Sequence, residues 1–210
     1  MGRKNKYNPF RSVDIFEEII AEYAGSKYAV AVDSCSNAMF LSLMYVGVNG
    51  KDVYVPKRTY PSAVFAVMHA GGNVVFTDES WEGIYAFDPF PIIDGAKRFT
   101  SGMYEKGTYH CLSFHAAKHL KIGRGGAILT DNKDARDWFK LARFDGREEG
   151  FIPCEQEDFT VAGWNFYMTP EQASRGLWLM STMPKYNKDL PNEPDYPDMS
   201  KMSIFKGEEK

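Results

Sequence analysis

The chain has 210 residues, of which 44% are hydrophobic and 15% aromatic, enough to bury a substantial core in one domain or in one domain with a small appendage. The formal net charge is -3, so no overall positive field exists that would hold a polyanion, and we expect no nucleic-acid partner. No apolar stretch approaches the length that spans a bilayer, and we expect no membrane association.

The cysteines are Cys35, Cys111 and Cys154. Their odd number, wide spacing and lack of a CxxC pair favour reduced, mostly buried thiols over a disulfide framework. Because thiols stay reduced in the cytosol, the cysteines predict a cytoplasmic protein.

The first half of the chain alternates helical and extended hydrophobic patterns. An amphipathic helix is predicted to begin with Ser12 as its N-cap and to end at Gly25. It is followed by the strand "YAVAV", the helix "NAMFLSLMYVG", the strand "DVYVP", the helix "PSAVFAVMHAGG" and the strand "NVVFTD". This alternation predicts an α/β fold with a mainly parallel sheet and helices on both faces.

The second half adds three predicted strands and two helices. The strands are "PIID", which ends in Asp94, "TYHCLSF" and "GGAILT", and the helices are "DARDWFKLARF" and "TPEQASRGLWLMSTM". From Pro184 the chain is rich in Pro, Asp, Asn and Lys. We therefore expect one domain over residues 1–183 and a loosely ordered tail over residues 184–210.

Polar residues follow two of the predicted strands. Ser34, Cys35, Ser36 and Asn37 come after the first strand and open a helix, so their N–H groups and hydroxyls can cradle a phosphate. The same residues also suit an ordinary N-cap. Asp94 ends an apolar strand, where a carboxylate can pair with a buried cationic ligand atom, although a turn is the commoner role for such an Asp.

Lys118 lies in the run "SFHAAKHLKIGRGGAILT", between Ser113 at a strand end and a glycine turn. An amine acts as a nucleophile only when deprotonated, which a partly desolvated pocket favours. The aromatic and small neighbours of Lys118 suit such a pocket. A lysine beside alanines is, however, usually part of a solvated helix face.

His115 and His119 are spaced four residues apart with Cys111 nearby, a spacing that can indicate a metal site. The glutamate of the HExxH motif is absent, and Lys118 would stand beside the ligands. We therefore predict no metal.

Five segments, in this order, resemble the DegT/DnrJ/EryC1/StrS family of sugar aminotransferases, which are pyridoxal phosphate enzymes with the aspartate aminotransferase fold (fold type I). The resemblance runs from about Ser12 to Met180. It covers the family's strand, small-residue turn and helix, its second patterned unit, its Asp-bearing strand, its SFHxxK and Gly-Gly run, and its GxNxRM segment. Here these read "YAVAVDSCSNAMFLSL", "VYVPKRTYPSAVFAVMHAGGNVVFTD", "IIDGAK", "SFHAAKHLKIGRGGAILT" and "GWNFYMTPEQASRGL".

The resemblance implies a role for each matching residue. Lys118 matches the lysine that forms the internal aldimine, and Asp94 matches the carboxylate that pairs with the pyridinium nitrogen. Tyr60 stands where the family places an aromatic residue that stacks on the cofactor ring.

The phosphate end of the cofactor has its own matches. Ser36 and the backbone at Asn37 match the family's phosphate cradle, and Ser113 matches a hydroxyl that also reaches the phosphate. Asn165 matches an asparagine that, in the family, reaches the phosphate from the neighbouring subunit. The resemblance therefore implies a homodimer with a shared active site.

For the family, the activity is transfer of an amino group from an amino acid, usually glutamate or glutamine, to a keto-sugar carried on a nucleoside diphosphate. A sister activity, dehydration of the sugar, uses a histidine in place of the lysine, and Lys118 argues against it.

The chain also departs from the family. Between "GIYAFDP" and "FPIID" a long segment is absent, and we expect the C-terminal small domain to be largely missing. Cys35 replaces a glycine, Lys97 stands where Gln or His is common, and Arg124 replaces a Glu. A second hypothesis is therefore a non-catalytic or repurposed remnant of the fold that acts as a binding or scaffold protein. Retention of the whole set of cofactor residues favours the enzyme.

Overall fold

A five-stranded sheet organises the chain in the computed structural model, which describes residues 8–149, 158–191 and 196–206. None of the helices in these three stretches is both long and apolar enough to cross a bilayer. The helices are α1 (Arg11–Ala24), α2 (Cys35–Val46), α3 (Pro61–His69), α4 (Lys133–Ala142) and α5 (Pro170–Met180). The strands are β1 (Tyr28–Val32), β2 (Asp52–Pro56), β3 (Asn73–Thr77), β4 (Tyr85–Ala86), β5 (Ile92–Asp94), β6 (Tyr109–Ser113) and β7 (Gly126–Thr130).

The sheet is mixed, which differs from the predicted mainly parallel arrangement. Its order is β1-β7-β6-β5-β4, and only β5 and β6 pair in parallel; the other neighbours are antiparallel. A loop without a helix joins β6 to β7, so the chain returns antiparallel, because parallel neighbours usually need a crossover helix. Strands β2 and β3 form a separate parallel pair.

Helices cover both faces of the sheet, as predicted. Alternate residues of β1 face opposite sides: Val30 and Val32 pack into one apolar cluster, while Ala29 and Ala31 pack into another. The first cluster contains the buried residues of α2, α3 and α4, and the second contains those of α1 and α5. The fold is therefore a three-layer α/β domain.

The helix ends test the local predictions. Gly25, with a φ of 85°, ends α1 in the left-handed conformation that glycine adopts without strain. Thr169 caps α5 and forms a capping box with Gln172. The predicted N-cap Ser12 is wrong, because it lies inside α1, which begins one residue earlier at Arg11.

Residues 184–191 and 196–206, here called the C-terminal strap, are packed on the domain. The carbonyl of Lys185 accepts hydrogen bonds from Ser101 N at 2.8 Å and Thr100 Oγ1 at 3.1 Å. Asp189 pairs with Arg98. Loose order, expected from the polar composition, is therefore wrong for these residues, because backbone and ionic contacts hold them, and Met199 and Phe205 pack on the first apolar cluster. The domain boundary at residue 183 stays a prediction.

Candidate active site

The carboxyl ends of three strands lie at one edge of the sheet. Strands β5 and β6 are parallel, and β1 and β6 both run antiparallel to β7, so all three point the same way. Asp33 follows β1, Asp94 ends β5 and Ser113 ends β6. Ligands of open α/β sheets bind at this edge, and the structure brings most of the predicted site residues to it.

The turn after β1, predicted to cradle a phosphate, meets the start of a second helix. Ser34 caps α2, its Oγ accepting from Asn37 N at 3.2 Å. Ser36 Oγ donates to Ser62 Oγ at 2.8 Å, which joins the N-termini of α2 and α3. Asn37 Nδ2 also donates to Asp33 Oδ1 at 2.7 Å. A phosphate would find the Ser36 and Ser62 hydroxyls here, but it would compete with the cap for the Asn37 N–H.

The Gly-Gly run after Lys118 packs directly on this turn. A Cβ atom on Gly126 would lie 2.5 Å from the Ser34 carbonyl carbon and from Cys35 N, closer than real atoms approach. Gly125, with a φ of 141°, forms a parallel bridge to Ser34. Glycine is therefore required for β7 to begin against the phosphate turn.

Arg124 links the same loop to the turn through a side chain. Its Nη2 lies 2.9 Å from Asp33 Oδ2, and its Nε donates to the Asp33 carbonyl at 3.3 Å. The Asp33 side chain is 18% exposed and that of Arg124 69% exposed. The arginine thus balances the carboxylate charge next to the turn.

The Asp94 carboxyl is buried and receives hydrogen bonds at both oxygens. Oδ1 accepts from Ala96 N at 2.8 Å, and Oδ2 accepts from the Tyr85 hydroxyl at 2.9 Å. Thr59 Oγ1 donates in turn to the Tyr85 hydroxyl at 2.8 Å. Burial raises the pKa of Asp94, while these two hydrogen bonds and the positive charge of Lys118 oppose that rise.

Lys118 lies in a turn after β6, not on a helix face. Its backbone N–H donates to the His115 carbonyl at 2.9 Å, and the residue is half-buried. Burial and the Asp94 carboxylate raise the pKa of the Cys35 thiol, and the Lys118 charge lowers it. The Lys118 charge therefore acts on both the phosphate turn and the buried carboxylate.

Ser113 lies at the same edge, opposite Gly126 of β7. Its Oγ is 3.5 Å from His115 N, a weak contact that leaves the hydroxyl available to a ligand. Tyr60 comes directly before α3, and its side chain is largely exposed at 61%. An exposed ring at a helix N-terminus is accessible for stacking.

Asn165 is placed differently from the other predicted residues. It is exposed, and its Nδ2 donates to Asp145 Oδ2 at 3.1 Å instead of to a residue of the strand-end cluster. Asp145 adopts a left-handed backbone with a φ of 57°. Its role across a subunit boundary stays a prediction.

The two histidines considered as metal ligands have local partners. His115 Nδ1 accepts from Ala117 N at 3.2 Å, and His119 Nε2 lies 2.9 Å from the Lys188 carbonyl. Across residues 8–149, 158–191 and 196–206, no three His, Cys, Asp or Glu side chains cluster as metal ligands. Cys35 and Cys111 are buried free thiols, as predicted, and Cys154 lies outside the described residues.

Three residues of the site were not predicted: Thr59, Ser62 and Tyr85. The signal for Tyr85 was the Asp-Pro pair between "GIYAF" and "FPIID", which is typical of a turn between two strands. The resulting hairpin pairs Tyr85 directly with Asp94. Ser62 follows Pro61, a common first residue of a helix, and could be predicted only as a residue near a helix N-terminus.

The sequence profile of the DegT/DnrJ/EryC1/StrS aminotransferase family matches residues 2–86 and 100–189. The chain belongs to this family. The profile skips residues 87–99, which include Asp94 and the point where a family segment is absent. The assignment of Asp94 therefore depends on its place at the end of β5 and on its contacts.

Curated family members include two similar enzymes of bacterial sugar metabolism. The Campylobacter jejuni UDP-4-amino-4,6-dideoxy-N-acetyl-beta-L-altrosamine transaminase is 24% identical over 80% of this chain and 56% of its own length. The GDP-perosamine synthase of Caulobacter vibrioides is 25% identical over 77% of this chain and 54% of its own. The chain thus spans about half the length of the curated relatives it matches.

Solved structures confirm the fold. AtS13 from Actinomadura melliaura superposes with a TM-score of 0.72 at 19% identity, over 84% of this chain and 61% of the other. Helicobacter pylori PseC, an aminotransferase of pseudoaminic acid biosynthesis, gives 0.72 at 15% identity, over 84% of this chain and 59% of the other. The predicted fold type I architecture is confirmed, with a shortened chain and a mixed sheet.

The cofactor of this family is pyridoxal phosphate, and the residues at the sheet edge fit it. Two helix N-termini with the Ser36 and Ser62 hydroxyls suit a phosphate dianion. The buried Asp94 carboxylate suits a protonated ring nitrogen, and the Lys118 amine suits an aldehyde.

Proposed function

We propose that this chain carries a pyridoxal-phosphate-dependent aminotransferase site, with Lys118 as the Schiff-base lysine. The amino donor is an amino acid, glutamate or glutamine, and the acceptor is a keto-sugar carried on a nucleoside diphosphate. The observation that carries the proposal is the convergence of the buried Asp94 carboxylate, Ser113 and the α2 N-terminus at one edge of the sheet, where Asp94 experiences the charge of Lys118.

Asp94 serves the ring nitrogen of the cofactor. Bound pyridoxal phosphate supplies a protonated ring that withdraws electrons from the substrate carbon. An ionised Asp94, held at both oxygens and buried, keeps the proton on that nitrogen, because a buried cation without a counter-charge loses its proton.

Lys118 has two tasks in the proposed reaction. Its Nζ would hold the cofactor when it is bound, and as a free amine it would move a proton to and from the substrate carbon. The turn after β6 suits both tasks, because it holds the backbone by the His115 carbonyl while the side chain stays half-buried.

Ser36, Ser113, the Asn37 backbone and Tyr60 orient the cofactor in this proposal. The hydroxyls and the helix N-terminus bind the phosphate, and the Tyr60 ring stacks on the cofactor. Fixing both ends leaves the reactive carbon at one position relative to Lys118.

The names of two relatives support the proposed substrate. A UDP-linked transaminase and a GDP-perosamine synthase support a nucleotide-linked sugar acceptor. We also propose a homodimer in which Asn165 reaches the partner's cofactor phosphate, and a cytoplasmic location consistent with the buried free thiols. Lys118 and Asp94 together favour catalysis over a scaffold role, because binding a partner needs neither.

Cofactor binding is tested by absorbance. Adding pyridoxal phosphate to the purified chain is expected to give a new visible band that Lys118→Ala abolishes. Lys121→Ala is the matched control, because this exposed lysine lies three residues away in the same loop and should leave the band unchanged. A wild-type chain without a band, or a band that persists in Lys118→Ala, contradicts the proposal.

The donor and acceptor are tested by transfer of label. Glutamate or glutamine with an isotopically labelled amino group is expected to bleach the band, and a keto-sugar nucleotide should restore it while gaining the label. A chain that binds the cofactor but transfers label from neither amino acid contradicts the donor assignment.

A further inference from the structure

Tyr85 lies between the aromatic turn before α3 and the Asp94 carboxylate. Its side chain is buried, with 3% of the residue exposed. The hydroxyl accepts from Thr59 Oγ1 at 2.8 Å and donates to Asp94 Oδ2 at 2.9 Å. The three groups therefore form one chain of hydrogen bonds: the Thr59 hydroxyl donates to the Tyr85 hydroxyl, and the Tyr85 hydroxyl donates to the Asp94 carboxylate.

The strand register and two aromatic neighbours fix the position of the Tyr85 ring. Tyr85 and Asp94 are directly opposite each other in the antiparallel β4–β5 pair, so their side chains share a face of the sheet. The ring also packs against Trp81 and Phe87, with centroid distances of 4.8 and 5.6 Å. The hydroxyl is thus aimed at Asp94 by the backbone register and by two aromatic neighbours.

The charges around Asp94 show why a donor is needed. Burial raises the pKa of this carboxyl; the Ala96 N–H and the Tyr85 hydroxyl oppose the rise, as do the more distant charges of Lys118 and Lys97. Cys35 and Cys111 also face it, and burial raises the pKa of both thiols, so they stay neutral. Burial and the Asp94 carboxylate raise the pKa of Tyr85, which keeps its hydroxyl protonated and able to donate.

We propose that Tyr85 is the positioning residue for Asp94: its hydroxyl fixes Oδ2 in place and keeps the carboxylate charged for the ring nitrogen of the cofactor. Thr59 supports it by fixing the direction of the Tyr85 hydroxyl. The part that concerns the cofactor rests on the proposed function, while the part that concerns the carboxylate does not.

The carboxylate is tested first in the full chain without cofactor. The side-chain carboxyl carbon of Asp94 is assigned by its loss in Asp94→Asn, and its pKa is followed by NMR. Tyr85→Phe, which removes one hydroxyl from the same ring, is expected to raise that pKa by about one unit. Tyr109→Phe is the matched control, because Tyr109 is buried on neighbouring β6 and its hydroxyl interacts with Asn132 and Tyr45 instead.

Cofactor binding is tested next. Tyr85→Phe is expected to weaken pyridoxal phosphate binding about tenfold, because the carboxylate loses the hydrogen bond that fixes Oδ2, while Tyr109→Phe leaves it at the wild-type value. Thr59→Val removes the donor to Tyr85 and leaves Tyr85 in place. It is expected to raise the Asp94 pKa and to weaken pyridoxal phosphate binding, each by less than Tyr85→Phe does.

The outcomes separate the two hypotheses. An unchanged Asp94 pKa in folded Tyr85→Phe overturns the inference, and if that variant does not fold, an unchanged pKa in Thr59→Val does so. A raised pKa in a protein whose wild type binds no pyridoxal phosphate supports the role of Tyr85 at the carboxylate and overturns the proposed function alone.

Discussion

At the scale of single residues, Arg124 and Asp33 form a charge pair beside the phosphate turn. Asp33 Oδ1 accepts from Ser34 Oγ and Asn37 Nδ2, so the carboxylate organises the turn, yet its charge is of the same sign as a phosphate. Arg124 neutralises that charge at 2.9 Å. Arg124, which stands where the resemblance leads us to expect a glutamate, therefore serves as the counter-charge of Asp33 at the turn.

Reversing the Arg124 charge is expected to weaken pyridoxal phosphate binding. In Arg124→Glu, two carboxylates would repel the phosphate, and because the pair is partly exposed we expect a loss of about tenfold in affinity. Asp33→Asn in the same chain should recover most of it. Arg175→Glu, an exposed arginine on α5, is the control. Equal dissociation constants for wild type and Arg124→Glu, measured by absorbance titration, would contradict this role.

His110 predicts how stability depends on pH. Its ring is fully buried, neither nitrogen has a hydrogen-bond partner among the described residues, and burial, with Arg98 nearby, lowers its pKa from 6.5 to about 4. The unfolded chain therefore takes up a proton at higher pH than the folded one. Its contribution is complete above pH 6.5 and is lost as pH falls toward 4, by up to roughly 3 kcal/mol.

The measurement is urea unfolding across that pH range. His110→Leu, of similar volume and without a titrating group, is expected to lose less stability than wild type on acidification, with the difference confined to pH 4–6.5. Parallel pH profiles for the two proteins would show that His110 does not titrate differently on folding.

At the scale of elements, the sequence predicts those helices and strands whose formation depends on neighbouring residues. Strands β1 and β2 match the predicted segments residue for residue, because a buried apolar run between turn residues has few alternatives. The two-residue β4 escaped prediction, since so short a strand has no periodicity of its own. The mixed direction of the sheet and the packing of the strap also escaped it, because both depend on contacts between distant segments.

The site also contains residues that local patterns predict and residues that depend on contacts between distant segments. Asp94, Ser113 and the turn at Ser36 could be placed at one edge from the rule for strand ends. Tyr85 could not be assigned to Asp94, because that contact depends on the register of the β4–β5 hairpin. The role of Lys118 came from resemblance, and the structure adds its place in the turn after β6, where its charge acts on Asp94.

The C-terminal strap supplies a prediction about stability. Arg98 Nε and Nη2 both donate to Asp189, with side chains only 29% and 16% exposed. Asp189→Asn is expected to lower the free energy of unfolding by about 1–2 kcal/mol, because a paired, half-buried arginine loses its counter-charge. Glu18→Gln, which breaks the exposed pair with Arg11, is the control and should cost less than about 1 kcal/mol. Equal losses in the two variants would mean that the strap pair adds nothing specific.

At the scale of the whole molecule, one chain brings most of the predicted site residues to one edge of the sheet and holds Asn165 apart from them. Asp94, Ser113 and Ser36 lie at the sheet edge, whereas Asn165 is exposed and bonded to Asp145. Backbone contact between Asp33 N and the Phe166 carbonyl, at 2.8 Å, keeps the Asn165 segment beside the end of β1. In the homodimer proposed above, Asn165 of one copy would serve the phosphate turn of the other.

Mixing two inactive variants tests this shared site. Lys118→Ala lacks the amine and Asn165→Ala lacks the amide, so each homodimer is expected to be defective in transfer. In a dimer of one chain of each, one site combines the intact Lys118 of one subunit with the intact Asn165 of the other. Random mixing then makes roughly a quarter of all sites complete, and transfer activity should return in that proportion.

The matched control mixes Lys118→Ala with Asp94→Asn. Each site takes Lys118 and Asp94 from the same subunit. In a mixed dimer every site therefore lacks either the lysine or the aspartate, and no activity should return. If Asn165 instead acts within its own subunit, its mixture will stay as inactive as the control. Activity that returns in the Asn165→Ala mixture but not in the Asp94→Asn mixture would therefore require a site built from two chains, because a site built within one chain cannot gain its missing group from a second copy.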